Sequence, residues 1–163
     1  MADAVVEPGS LMLVHFVEQQ LEGWTFERRH WPLKITLVPW FTVDDEEAVV
    51  RSLERVANET GPLTLAVGKQ DNFGVDSDIP VNVIANQEPV LELHQKLVDT
   101  LSHADTAYHE QRFMGKEYVA HITRHEVDGR HSNEGEDIMV NNFHLVRLLE
   151  DNTCRVEHQF DLR

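Results

Sequence analysis

Two short segments of this 163-residue chain each set a proton-carrying or cationic side chain two residues before a hydroxyl. In Tyr118-Val119-Ala120-His121-Ile122-Thr123-Arg124-His125 the pair is His121 and Thr123; in Trp31-Pro32-Leu33-Lys34-Ile35-Thr36-Leu37 it is Lys34 and Thr36. A strand sends alternate side chains to opposite faces and sets same-face neighbours roughly 6.6 Å apart. At that spacing an imidazole and a hydroxyl can grip different oxygens of one phosphate. His121, Thr123 and His125 would share a face with Val119, while Ala120 and Ile122 turn toward a core. Imidazole suits proton transfer because it titrates near neutrality. Lysine is a different tool: with an ordinary pKa of about 10.4 it stays protonated, attracting phosphate without readily taking a proton. Burial lowers that pKa and a bound anion raises it, so Lys34 is expected to act mainly as an electrostatic clamp.

The rest of the chain must bring those pairs together. Residues 1–9 read as a frayed lead closed by Pro8-Gly9, and Ser10–Val17 as a short apolar strand. Residues 18–29 read as a loop, and Trp31–Phe41 as the first motif strand. Thr42 is the expected cap of a helix whose first turn is acidic (Asp44 to Glu47) and which stops at Gly61-Pro62. Leu63–Val67 and Pro80–Ala85 read as strands, with a hairpin around Asn72-Phe73-Gly74. Glu88–Leu101 is helical, with His94 on its polar side. Residues 103–116 are irregular, and the spacing of His103 and His109 fixes no metal geometry. The second motif strand follows, then a charged loop from Asp128 to Asp137. A closing hairpin, Met139–Glu150 and Cys154–Leu162, turns at Asp151-Asn152-Thr153.

Composition narrows the chemistry. A formal charge of -15, from 29 acidic and 14 basic residues, lacks the basic surface that tracks an extended duplex. A small or end-on phosphate remains compatible, because a local pocket can be positive on an acidic body. Cys154 is the only cysteine, so neither an internal disulfide nor a multi-cysteine metal site is expected. No run approaches the ~18 apolar residues of a membrane helix, and the first residues lack the pattern of a secretory signal. A cytoplasmic monomer follows as the expectation.

Leu33-Lys34-Ile35-Thr36 and Ala120-His121-Ile122-Thr123 align at an offset of 87 residues, each on a strand, with helices between. With its early apolar strand, acid-capped helix and final hairpin, the chain resembles the two-histidine (2H) phosphoesterases. These are the superfamily of bacterial 2'-5' RNA ligases and RNA 2',3'-cyclic phosphodiesterases, and the resemblance spans nearly the whole chain. It implies an α+β fold of two pseudo-twofold-related lobes, each an antiparallel sheet with helices on the outside, around a central groove. Residues 1–163 would form that single bilobal domain. The family motif, H-x-T/S-x, is present as His121-Ile122-Thr123-Arg124, whereas the first copy, Lys34-Ile35-Thr36-Leu37, has lysine in place of histidine.

By resemblance, His121 is the proton-transfer group, Thr36 and Thr123 bind phosphate oxygens, Lys34 takes the place of the first motif's histidine, and no metal or cofactor is needed. The expected substrate is a cyclic phosphate or 2'-5' linkage on a nucleotide or RNA 3' end. A catalytically impaired binder of the same ligand and a protein-interaction domain are the alternatives. Among the other histidines, His15 on the neighbouring strand is the best-placed substitute proton carrier. His30 lies about 13 Å along the strand from Lys34, and His125 is expected near the groove mouth. A packing role is the simpler reading of each. Arg124 should point away from His121, into a salt bridge.

Overall fold

The computed structural model describes residues 5–163. Its ten strands are β1 (Leu11–Phe16), β2 (Thr25–Glu27), β3 (Lys34–Thr42), β4 (Leu63–Phe73), β5 (Ile79–Ile84), β6 (Ala107–Tyr108), β7 (His121–Thr123), β8 (Asp137–Val140), β9 (Asn142–Leu148) and β10 (Thr153–Asp161). The helices are α1 (Glu46–Asn58) and α2 (Gln87–Ser102). The strands form one open sheet in the order β2-β10-β9-β1-β3-β7-β5-β4-β8, with β6 paired to β3, and every pairing is antiparallel. The fold is α+β, and its two halves meet edge to edge where β3 pairs with β7. Beyond that seam lie β1 on one side and β5 on the other, each antiparallel to its motif strand.

Both faces of the sheet are partly covered, and alternation sorts the side chains between them. Leu13, Ile35, Leu37, Ile122, Ile84 and Leu145 enter the larger core, where α2 packs on β3 and β4 and α1 packs on β10 and α2. Met12, Val14, Phe16, Trp40, Val146 and Cys154 form a second cluster on the opposite face, with Trp31 and Phe26 against it. β1 is buried at all six positions because it lies between these layers.

Several local expectations give way to tertiary structure. Asp45, not Thr42, caps α1: its side chain accepts from the Ala48 N–H at 3.1 Å, because β3 continues through Thr42. Residues 1–4 of the supposed lead lie outside the described residues. The remainder is not frayed, since Val6 is buried in the second cluster and the Gly9 N–H donates to the Leu148 carbonyl at 2.7 Å. The supposed loop 18–29 contains the edge strand β2, and the irregular stretch 103–116 contains β6. Met139 belongs to β8, which pairs with β4, so the closing hairpin is β9–β10 alone. His94 is buried rather than solvent-facing. Its Nδ1–H donates to the Leu37 carbonyl at 2.6 Å, its Nε2 accepts from the Gly115 N–H at 2.9 Å, and its ring stacks on Tyr118 at 4.0 Å. Helical periodicity could not reveal those partners, which come from β3 and the segment before β7.

Gly68 marks the bulge in β4 between Val67 and Gln70. A Cβ there would sit 2.5 Å from the Val83 carbonyl oxygen, and Val83 pairs with His121. Gly68→Ala must therefore push β5 against the motif strand. The expected cost is about 1–3 kcal/mol, a fall in Tm of roughly 3–10 °C. Thermal denaturation checks it, and an unchanged Tm would mean that β5 yields freely.

Candidate functional site

β7 is shorter than the sequence suggests, three residues rather than eight. Val119 lies before it and is 41% exposed, while His125 begins the turn after it. The essential register nevertheless forms. Ile35 pairs with Ile122, both fully buried in the helix-side core, and this pair pins the seam. Antiparallel register about it sets Lys34 beside Thr123 and Thr36 beside His121. All four project from the face opposite the helices, and all are half-buried. Thus Thr36 and Thr123 share one surface, as a common phosphate site requires.

Each side chain is held by identifiable partners. The Lys34 ammonium donates to Thr36 Oγ1 at 3.0 Å and lies 4.7 Å from the centre of the Trp31 ring. Burial lowers its pKa to about 8. The His121 Nδ1–H donates to the Val119 carbonyl at 2.9 Å, since a carbonyl can only accept; this fixes the tautomer and leaves Nε2 as the basic atom. Burial lowers the His121 pKa, the Lys34 charge adds to that, and the bond to Val119 opposes it. His121 is therefore neutral at physiological pH. The Phe73 ring meets it edge-on at 4.8 Å. Tyr118, stacked on His94, donates its hydroxyl to the Thr36 carbonyl at 2.8 Å, tying the two motif strands together.

The other sequence candidates separate cleanly. His15 faces the larger core, because it pairs with Ile35 and its Nδ1–H donates to the Asn142 carbonyl at 2.8 Å. It does not reach the Lys34 face, so it is no substitute for a second motif histidine. His30 is exposed and 3.2 Å from Glu27. His125 lies within electrostatic reach of the site: burial, Arg130 and Lys34 each lower its pKa. Arg124 does point away. It is buried, donating to Asn82 at 2.7 Å and the Ser132 carbonyl at 3.0 Å, with Glu126 2.9 Å away. Phe73, Glu18, Arg130 and Gln87, all close to the motifs, carried no recognisable sequence signal; residues of a hairpin, of loops and of the start of α2 reach the seam only through the fold.

A cavity of about 280 Å³ lies elsewhere, between the end of α1 and β10, lined by Glu54, Asn58, Asp161 and Arg163 among others. It contains none of the motif residues. Among the described residues, no three His, Cys, Asp or Glu side chains are grouped to hold a metal ion, and no helix is long and apolar enough to cross a membrane.

Solved structures share this fold. Escherichia coli LigT in apo form is 14% identical, with 96% of this chain and 99% of that chain covered at a TM-score of 0.62. E. coli LigT complexed with 3'-AMP is 13% identical over the same shares, with a TM-score of 0.61. The protein TT0787 of Thermus thermophilus is 17% identical, covering 94% and 98% of the two chains at a TM-score of 0.59. At these identities the likeness is one of fold. No curated protein matches the chain in sequence. The sequence profile of the 2'-5' RNA ligase superfamily, however, matches residues 18–156, a span that takes in both motif strands, the two helices and most of the closing hairpin. The chain belongs to the 2'-5' RNA ligase superfamily.

Proposed function

We propose that this protein is a metal-independent phosphoesterase that opens a 2',3'-cyclic phosphate, or cleaves a 2'-5' phosphodiester, on a nucleotide or RNA 3' end. One observation carries the reading: Lys34, Thr36, His121 and Thr123 project from the same face of two paired strands, with His121 neutral and its Nε2 unclaimed by the Val119 bond. Water attacks phosphorus and gives its proton to Nε2 of His121. The P–O3' bond breaks, O3' takes a proton from the Lys34 ammonium, and a 2'-phosphate is left. Solvent then returns the proton from His121 to Lys34. Thr36 accepts from Lys34, so its own O–H is available to a nonbridging oxygen; Thr123 takes the other. A pKa near 8 makes Lys34 a clamp that can also act as the acid. The structures of E. coli LigT complexed with phosphate and with 3'-AMP support a ligand of this class. The protein would act as a monomer in the cytoplasm, where Cys154 stays reduced.

Incubation with 2',3'-cyclic AMP should yield 2'-AMP, resolved from 3'-AMP by chromatography or ³¹P NMR. A second reading, binding without turnover, is favoured by the lysine itself, because a bound anion raises its pKa and discourages proton transfer. Saturable binding of the cyclic nucleotide with no product would establish that reading in place of the first. Lys34→His would then show whether the lysine alone prevents hydrolysis.

A further inference from the structure

We infer that Glu18 and Arg130 are positioning residues that hold Lys34 on the face it shares with His121, and that Gln87 is their neutral counterpart for His121. The inference rests on the reading that Lys34 and His121 do the chemistry. Each motif is preceded by a residue whose backbone is gripped by a side chain from just beyond the adjoining strand. In the first half, the Leu33 N–H donates to Glu18 Oε1 at 2.7 Å, and the Leu33 carbonyl accepts from the Val17 N–H at 2.8 Å. In the second half, the Ala120 N–H donates to Gln87 Oε1 at 2.8 Å, and the Ala120 carbonyl accepts from the Ile84 N–H at 3.0 Å. The Gln87 amide closes its own brace by donating to the Ala120 carbonyl at 2.9 Å and to the Ile84 carbonyl at 2.8 Å.

A carboxylate has no N–H with which to do the same, and here the halves differ. Arg130, from the loop after β7, supplies the donors. Its Nη2 lies 2.6 Å from Glu18 Oε1 and donates to the Trp31 carbonyl at 3.0 Å. A residue of one half thus crosses the seam to fix residues 31–33 of the other. The Trp31 backbone so held carries the ring that packs against the Lys34 ammonium. A partly exposed ion pair of this kind adds little to stability. A lysine on a long flexible stem, however, points where its backbone and neighbours leave it. The titratable groups acting on or felt by Lys34 are Cys154, His121 and His125; Glu18 acts on Arg130 and His125.

The test is an NMR titration of the Lys34 ε-methylene in the full-length protein, alongside hydrolysis of 2',3'-cyclic AMP. Glu18→Ala and Arg130→Met should release the ammonium toward water and raise its titration midpoint by about one pH unit or more. Both should lower kcat about tenfold, with little change in KM. Glu18→Gln still accepts from Leu33, as Gln87 does from Ala120, and should restore most of the wild-type midpoint and rate. Gln87→Ala should move the titration of His121 and leave that of Lys34 in place. A purely structural brace would lower Tm without moving either midpoint. Unchanged Lys34 midpoints in Glu18→Ala and Arg130→Met overturn the inference; if only Arg130→Met folds, its midpoint decides. Should the wild type show no turnover, the reading of the reaction fails and the midpoints still judge the brace.

Discussion

His121→Ala should reduce hydrolysis of a 2',3'-cyclic nucleotide by about 10²–10⁴-fold, the usual loss when a positioned acid or base is removed. The fold should survive. His121 is half-buried on the sheet face opposite the helices, where its described partners are the Val119 carbonyl and the ring of Phe73. The register of β7 is held by Ile122 on the other face, which the substitution leaves alone. The basic atom must be unprotonated to act. Burial and the Lys34 charge keep the His121 pKa below its ordinary value, so kcat/KM should rise with pH only on the acid side of about 6.5 and level there until Lys34 begins to lose its proton near pH 8. Steady-state rates between pH 5 and 9, with Tm measured on both proteins, check this. Equal kcat/KM in wild type and His121→Ala would remove the imidazole from the mechanism.

Lys34→Met should cost at least ~10²-fold in kcat/KM, because a cation about 4 Å from a phosphate contributes up to ~4 kcal/mol at a protein surface. It should also raise stability at neutral pH. The sign follows from the pKa of about 8, below the ordinary 10.5: the folded state holds the lysine proton less tightly than the unfolded chain does. The wild type therefore gains stability as pH climbs from about 8 toward 10.5, and below that window it carries a charge that burial disfavours. Methionine removes the charge and keeps an apolar stem against Trp31. In the wild type, the alkaline limb of kcat/KM should fall near pH 8, since that ratio reports the free enzyme. The corresponding limb of kcat should lie higher, because bound phosphate favours the ammonium. A methionine variant as active as the wild type, or a pH profile flat through 8, would contradict the role given to Lys34.

Alternating apolar and polar residues were enough to place Lys34 with Thr36 and His121 with Thr123 on single strand faces, and to turn Ile35 and Ile122 toward a core. The two copies of the pattern, 87 residues apart, were enough to indicate a duplicated unit. Both signals are local, because strand pleat and hydrophobic burial act over a few residues. His94 misled, and His15 stood open between packing and proton transfer, for the opposite reason. Whether a histidine is a solvent-facing group, a proton carrier or a satisfied core residue depends on carbonyls and amides from distant segments. For these two the partners come from Leu37, Gly115 and Asn142. The cap of α1 moved to Asp45 because the sheet extended β3 past the point where propensity would end it.

The linear order of residues supplied the groups proposed to react: one imidazole, one amine and two hydroxyls at strand spacing, on an acidic chain of the 2'-5' RNA ligase superfamily. Their protonation and alignment came from folding. The β3–β7 seam aligned the pairs, Val119 selected the His121 tautomer, and burial brought the Lys34 pKa to about 8. Residue types set what a group can do, whereas charge state and aim depend on solvent exclusion and on neighbours that come close only when the chain folds.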